Sequence, residues 1–295
     1  GTSTEYEYYQ PRGWVNSILH KQGQTPFEEF SMEYDNGANT VGNITEVTEL
    51  NGSTVTYEYD DLYRLTSDVR TGTNSYSRTY SYDLAGNITQ VNGSTFATYD
   101  SANKFATVPG GSAGYDAIGS LTSISGNNFT STAYAWNARS EMKSVTQSGT
   151  YTFKYNTARQ RTYRGPTNPQ WYLYANGRIL GELNSTGATS AYTWGADGLA
   201  VQRRIVAGNS LYFHFGPQAE TRYVTNSAGA VVLSYVYTAY GQTISLVGTE
   251  YNRHRYGGKV GYFTDIKGQI LAWHRWYEPQ AYRWLNRDPI SYDGG

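Results

Sequence analysis

Four histidines, His20, His214, His254 and His274, are the chain's imidazoles, and none stands at the short spacing that presents two ligands to one metal. No cysteine accompanies them, which excludes disulfides, thiolate metal sites and thiol nucleophiles. His254 and His274 lie among Arg and Trp, where ring stacking is the expected role. No phosphate-binding loop or dinucleotide fingerprint occurs, and GGSAG at 110–114 reads as a loop. No cofactor and no metal are expected. Asn-x-Ser/Thr acceptors stand at Asn43, Asn51, Asn87, Asn92, Asn128 and Asn184, and read mostly as by-products of a repeated Gly-Asn-Ile-Thr turn.

The abundant chemistry is aromatic. Thirty tyrosines in 295 residues dominate a composition otherwise rich in Gly, Ser, Thr and Asn, with 16% charged residues. Tyr and Thr favour pleated, half-buried surfaces, and Gly and Asn supply turns, so the composition already points to β structure. Exposed Tyr and Trp rows would make stacking platforms for surface glycans or proteins; ladder packing inside a sheet is the plainer expectation. A formal net charge of −1 gives no global field for nucleic acid or an anionic membrane. No stretch is apolar enough to span a membrane. The start, GTSTEYEYYQ, lacks the basic and apolar regions of a signal peptide, so any targeting segment is expected upstream.

The aromatics recur in aromatic-x-aromatic pairs: Tyr57/Tyr59, Tyr80/Tyr82, Tyr134/Trp136, Phe153/Tyr155, Tyr172/Tyr174, Tyr192/Trp194, Phe213/Phe215 and Tyr235/Tyr237. Weaker copies keep one aromatic, at Tyr34, Tyr99 and Tyr115. From residue 136 to 237 the steps are 19, 19, 20, 21 and 22 residues. About eleven units therefore cover residues 32–250, after lead-in strands at 1–31. Residues i and i+2 of a strand share a face, so each pair lines one side of a sheet. A turn follows at once, as in YDLAGN, YDDLYR, YDNGAN, YDAIGS, YNTARQ and YANGRI. Asp or Asn at the turn entrance can bond its own backbone two residues on, and Gly supplies positive φ. A second strand then leaves, so each unit is a β-hairpin whose neighbours pair into an antiparallel sheet. One detail resists strict alternation: Ile44 and Val47, Ile88 and Val91, and Leu121 and Ile124 stand three apart. Either a bulge after the turn or a first residue covering the turn's outer side would accommodate them.

Beyond residue 250 the repeat stops. Residues 251–295 carry three tryptophans among short segments punctuated by Gly257-Gly258, Gly268 and Pro279, and read as a cap on a repeat array.

The unit YDLAGNIT at 82–89, with its degenerate copies, resembles the Rhs or YD repeat. GYFTDIKGQILAWHRWYEPQAYRWLNRDPISYDGG resembles the Rhs repeat-associated core segment. That family includes bacterial polymorphic toxins, the C component of insecticidal toxin complexes, and animal teneurins. The resemblance implies an all-β fold in which repetitive antiparallel hairpins form a curved or spiralling β-sheet shell with an aromatic-rich C-terminal cap. It implies a structural scaffold that protects or presents a C-terminal toxin, in a secreted or cell-surface setting, for competition between bacteria. The partners implied are that cargo or further shell repeats of the same chain. A cell-surface adhesion or carbohydrate-binding module is the alternative. A third reading is half of an aspartyl autoprotease: the family's self-cleavage uses the Arg-Asp of Arg-Asp-Pro, matching Arg287 and Asp288, with a second Asp beyond Gly295. Such chemistry needs two carboxylates at different protonation states, so the chain as given is expected to be catalytically incomplete, with Arg287–Asp288 read as an ion pair ordering the cap. Departures from the family pattern are Glu278 for Asp, Trp276 for Tyr, Ala281-Tyr282 for Thr-Gly and Ser291 for Gly.

Size constrains the cargo. At about 3.3 Å by 4.8 Å per residue the whole chain would make roughly 4,700 Å² of sheet, a sphere of about 19 Å radius. Inner side chains would leave less than an ordinary folded enzyme needs. Either the chain ends a longer shell, or its tyrosines fill the interior.

Overall fold

The computed structural model describes residues 1–10, 12–35 and 41–288. Residues 36–40, which hold all but the Tyr34-Asp35 of the YDNGAN turn, and residues 289–295, with Ser291, lie outside the described residues. The regular structure among the described residues is antiparallel strand apart from one 3₁₀ turn, Gly258–Val260, the only helical element among them. None of them forms a helix long and apolar enough to cross a membrane. In every sheet the spatial order of strands is the sequence order, as expected where short turns join antiparallel neighbours.

The chain divides into two compact units: Gly1–Thr95 with Tyr212–Glu250, and Phe96–Leu211 with Tyr251–Gly295. In the first, nine strands run in order from Thr2–Tyr9 to Ser94–Thr95. Their inner face carries a core of Ile18, Phe30, Met32 and Val47, against which Tyr34, Tyr57 and Tyr223 pack. In the second, strands from Ala113–Tyr115 to Gly198–Arg204 make a meander, and the tail adds four short strands, Phe263–Thr264, Ile270–Ala272, Arg275–Glu278 and Arg283–Trp284.

The aromatic markers sit where the repeat places them. Tyr59, Tyr82, Trp136, Tyr155 and Tyr237 each end a strand. The turn that follows is closed by its first residue. Asp83 Oδ1 accepts the amides of Ala85 (2.9 Å) and Asn87 (2.8 Å). Asp60, Asp116, Asn137 and Asn226 repeat the arrangement. This staple holds the fourth turn residue left-handed even without glycine: Tyr63 has φ 60° and Ser140 φ 59° where Gly86 has φ 84°.

The residues three apart are reconciled by a bulge. Tyr80 opposes Val91 and Tyr82 opposes Ile88, with the register slipping between Ser81 and Tyr82. One extra residue on the outgoing strand thus brings Ile88 and Val91 to the same face as both tyrosines. The slip recurs with Met32/Tyr34 opposite Val47/Ile44, and with Tyr134/Trp136 opposite Val145/Met142.

Tyrosine rather than phenylalanine is used because the ring tip has a partner. The second aromatic of a pair donates to the carbonyl of the residue just after the preceding turn: Tyr59 Oη to Ile44 O (2.8 Å), Tyr82 Oη to Leu65 O (2.6 Å), Trp136 Nε1 to Leu121 O (2.7 Å), Tyr174 Oη to Arg161 O (3.0 Å) and Trp194 Nε1 to Ile179 O (2.8 Å). Each ring buries apolar area and ties one hairpin to the last.

Candidate functional site

The bulged register creates two inward positions after every turn, opposite the two aromatics. Apolar residues fill most of them. Five buried exceptions are charged or polar: Asp68 opposite Tyr57, Arg161 opposite Tyr155, Arg164 opposite Phe153, Glu182 opposite Tyr172 and Gln202 opposite Tyr192. All five side chains are buried. A buried ion requires a partner, and Asp68, Arg161 and Glu182 each take one from a segment distant in sequence.

In the second unit they come from the tail, which retraces the ladder in reverse. Tyr251 Oη donates to Glu182 Oε2 (2.9 Å), and Tyr192 Oη donates to Glu182 Oε1 (2.6 Å). Next, Asp265 pairs with Arg161, both side chains at 0% exposure. The Arg161 guanidinium lies over Tyr172 (4.6 Å), Phe263 (4.8 Å), Phe153 (5.4 Å) and Trp276 (5.4 Å). Its Nε and Nη2 have no hydrogen-bond acceptor and face these rings instead. Burial alone would lower its pKa; Tyr172 and Asp265 raise it, so it stays charged. Farther along, Glu278 Oε2 accepts from Gln269 Nε2 (2.9 Å) and Tyr134 Oη (3.4 Å). Burial raises the Glu278 carboxyl above its usual range, with Gln269 opposing. The tail ends on the first strands: Leu121 N donates to Leu285 O (2.8 Å), and Tyr282 meets Phe96 edge-on at 5.2 Å.

His254 opens this path. It is fully buried, with its ring edge-on to Tyr192 (5.0 Å), Trp194 (5.5 Å) and Phe263 (5.5 Å). Nδ1–H donates to Tyr262 O (3.1 Å). Burial lowers its pKa to about 4. The expected stacking role therefore holds for His254, whereas His274 is exposed.

The family departures fit local needs. Trp276 is 1% exposed, donates from Nε1 to Tyr155 Oη (3.2 Å) and closes the Arg161 cage. Tyr282 holds φ 55°, the left-handed backbone its family glycine would adopt freely.

The first unit uses the same device with strands 212–247 as the cover. Arg70 forks onto both oxygens of Glu49 at 2.6 Å, and Arg222 Nη2 adds a third bond at 2.6 Å. Burial would raise the Glu49 pKa, but the two guanidiniums outweigh it and hold it low. Glu28 accepts from Tyr223, and burial raises its pKa. His214 and His20 lie 5.1 Å apart, and burial, with His20 adding to it, lowers the His214 pKa to about 3.

The positions matched to self-cleavage lie at the end of the described tail. Asp288 Oδ2 pairs with Arg275 Nη1 at 2.7 Å, with the two side chains about one-third exposed. Arg287 is exposed, and its carbonyl accepts from Asn286 Nδ2 (3.3 Å). GGSAG at 110–114 spells Gly-x-Ser-x-Gly, but it joins two hairpins with no helix after it, so Ser112 is not on a nucleophile elbow. Among the described residues no group of three His, Asp or Glu side chains could hold a metal ion.

Comparison with known proteins agrees with this architecture. The teneurin YD-shell family model matches residues 4–294. The tRNA3(Ser)-specific nuclease WapA of Bacillus spizizenii is 28% identical over 228 residues, covering 71% of this chain and 9% of that protein. The tRNA nuclease WapA of Bacillus subtilis is 26% identical over the same length. Among solved structures, the Photorhabdus luminescens Tc holotoxin pore with mutated TccC3 aligns over 98% of this chain and 17% of the matched chain, at 20% identity and TM-score 0.73. The TcdB2–TccC3–Cdc42 structure gives a TM-score of 0.76 at the same coverage and identity. This chain thus spans less than a tenth of the curated relatives it matches and about a sixth of the matched chains. A family match across nearly its whole length makes the chain a member of the teneurin YD-shell family.

Proposed function

We propose that this chain is the closing segment of a YD shell, a structural scaffold for a toxin segment carried by the same, longer polypeptide. One observation carries the reading: the tail from Tyr251 to Leu285 crosses the aromatic face of its own unit and is anchored there by the Arg161–Asp265 pair. The nuclease relatives and the holotoxin neighbour support a toxin as cargo, and with it a role in competition between bacteria. The test is limited proteolysis of the full native polypeptide. The segment after the shell resists digestion in the native protein and becomes sensitive in Asp265→Asn. A segment digested equally fast in both would remove the scaffold reading.

Arg287 and Asp288 are proposed as the near half of a self-cleavage site, on the family motif and on the anchoring of Asp288 by Arg275. Extending the chain through its native downstream residues tests this. Processing that Asp288→Asn abolishes supports it, and processing that persists in that variant refutes it.

A further inference from the structure

In the first unit, Tyr240 is the third residue of the turn that Thr238 staples. At this place in other turns the side chain faces solvent, as Leu62 and Ile118 do. Tyr240 is instead half-buried and turned onto the ladder. Its ring meets Tyr80 edge-on at 5.1 Å, and its hydroxyl lies 2.7 Å from Tyr82 Oη. A backbone bond holds the turn there: Ala239 N donates to Asp68 Oδ2 (2.8 Å).

The contact between the two phenols has a fixed polarity. A tyrosine has one hydroxyl proton, and Tyr82 commits its own to Leu65 O (2.6 Å). Tyr240 is therefore the donor to Tyr82 Oη. Other tips in this unit end on a carboxylate or a carbonyl, as Tyr80 does on Asp68 and Tyr76 on Tyr237 O. Both phenols also line a cleft of about 430 Å³ with Tyr57, Tyr59, Tyr63 and Gln218. Tyr63 is 53% exposed, so the cleft opens to solvent and its wall offers an entry point for an oxidising equivalent.

Two phenols so placed carry one specific chemistry. One-electron oxidation of a phenol, with loss of its proton, gives a neutral phenoxyl. Its unpaired electron is shared between the oxygen and the ring carbons ortho and para to it. The para carbon of tyrosine is substituted, so two phenoxyls join through ortho carbons, and those are the carbons beside the touching hydroxyls. The Arg64 guanidinium lies 4.7 Å over the Tyr82 ring. Its charge opposes a cationic ring, so the proton leaves with the electron.

We propose that Tyr82 and Tyr240 are a cross-linking pair, joined ortho to ortho as dityrosine, which ties the strand Tyr76–Tyr82 to a turn 158 residues away. Hydrogen peroxide, acting through a haem peroxidase, is the oxidant. Each phenol gives up its hydroxyl proton and one electron. A C–C bond forms between the ortho carbons, whose hydrogens then move to the oxygens and restore both hydroxyls. The two electrons and two protons break the O–O bond of the peroxide and yield two waters. This goes beyond the scaffold role and does not depend on it.

The test treats the intact 295-residue chain, dilute enough to suppress links between molecules, with hydrogen peroxide and a haem peroxidase. Dityrosine fluorescence appears in protein that still runs as a monomer. Peptide mapping by mass spectrometry finds the Tyr82 and Tyr240 peptides joined, with the loss of two hydrogens, as the main link within the chain. The urea midpoint rises on oxidation, because a bridge across so long a loop restricts the unfolded chain. Tyr240→Phe keeps a ring against Tyr80 but has no phenol to oxidise, so this link is absent and its midpoint does not move on the same treatment. The parent oxidised while unfolded in urea shows no preference for this pair, which separates folded geometry from tyrosine content. Dityrosine found only at other pairs or between molecules, no dityrosine at all, or a Tyr82–Tyr240 link as abundant in the unfolded chain would each overturn the assignment.

Discussion

Arg161 and Asp265, 104 residues apart in sequence, form an ion pair with no solvent exposure on either side. Arg161 occupies a register position that neighbouring hairpins give to Met142 and Ile179. The ladder therefore holds one charge in its apolar row, and the tail supplies the counter-charge. Removing one partner leaves an uncompensated buried ion, so Asp265→Asn and Arg161→Met should each destabilise by roughly 3–5 kcal/mol. The double variant should recover part of that loss. Urea unfolding followed by tryptophan fluorescence measures both.

Glu49 makes the parallel prediction for the first unit. Glu49→Gln removes the carboxylate of buried Arg70 and leaves Arg222 only Glu220, at 3.8 Å, and should cost about 3–5 kcal/mol. The sign with pH follows from its lowered pKa: the stabilisation is present above the unfolded value of 4.5 and is lost as pH falls through the folded value. The midpoint of the parent should approach that of Glu49→Gln in acid.

Protonation of His254 acts over a different window. Its folded pKa of about 4 lies below the unfolded 6.5, so the neutral ring's contribution is complete above 6.5 and declines as pH falls toward 4. The full effect is roughly 3 kcal/mol. Glu278 acts oppositely: its raised pKa contributes stability below 4.5 that is lost as pH rises through the folded value. Comparing the urea midpoint at pH 7 and pH 5 for the parent and His254→Phe isolates the histidine, and the variant should lose less on acidification.

Tyrosine tips should count individually. Tyr82→Phe removes the bond to Leu65 O and the 2.7 Å contact with Tyr240 Oη while keeping the ring, at a cost of about 1–2 kcal/mol. Phe153→Tyr gains no such bond at an inward position against Trp276 and should not stabilise. Equilibrium denaturation of the pair distinguishes a hydroxyl effect from ring packing.

Local chemistry made the hairpins readable in the sequence. Aromatic alternation gives the face, and Asp83 or Asn137 with a left-handed residue three later gives the turn. The three-residue spacing of Ile88 and Val91 left two explanations open because a bulge shows only once register is known. The polar anchors were less legible for a physical reason. Arg161 and Glu182 stand at spacings where apolar residues are the rule, a signal that sequence alone carries, but their partners Asp265 and Tyr251 lie 104 and 69 residues away. The link from Asp288 to Arg275 likewise depends on the tail hairpin, which the Arg-Asp-Pro motif does not encode.

Hydrogen–deuterium exchange of the intact chain tests most directly whether the tail seals the ladder of its own unit. Amides across 263–278 should be protected as strongly as those of strands Thr150–Tyr155 and Gln170–Ala175, and should lose that protection first in Asp265→Asn. Exchange of 263–278 at the rate of exposed loops, while those strands stay protected, would contradict a tail packed onto the aromatic face.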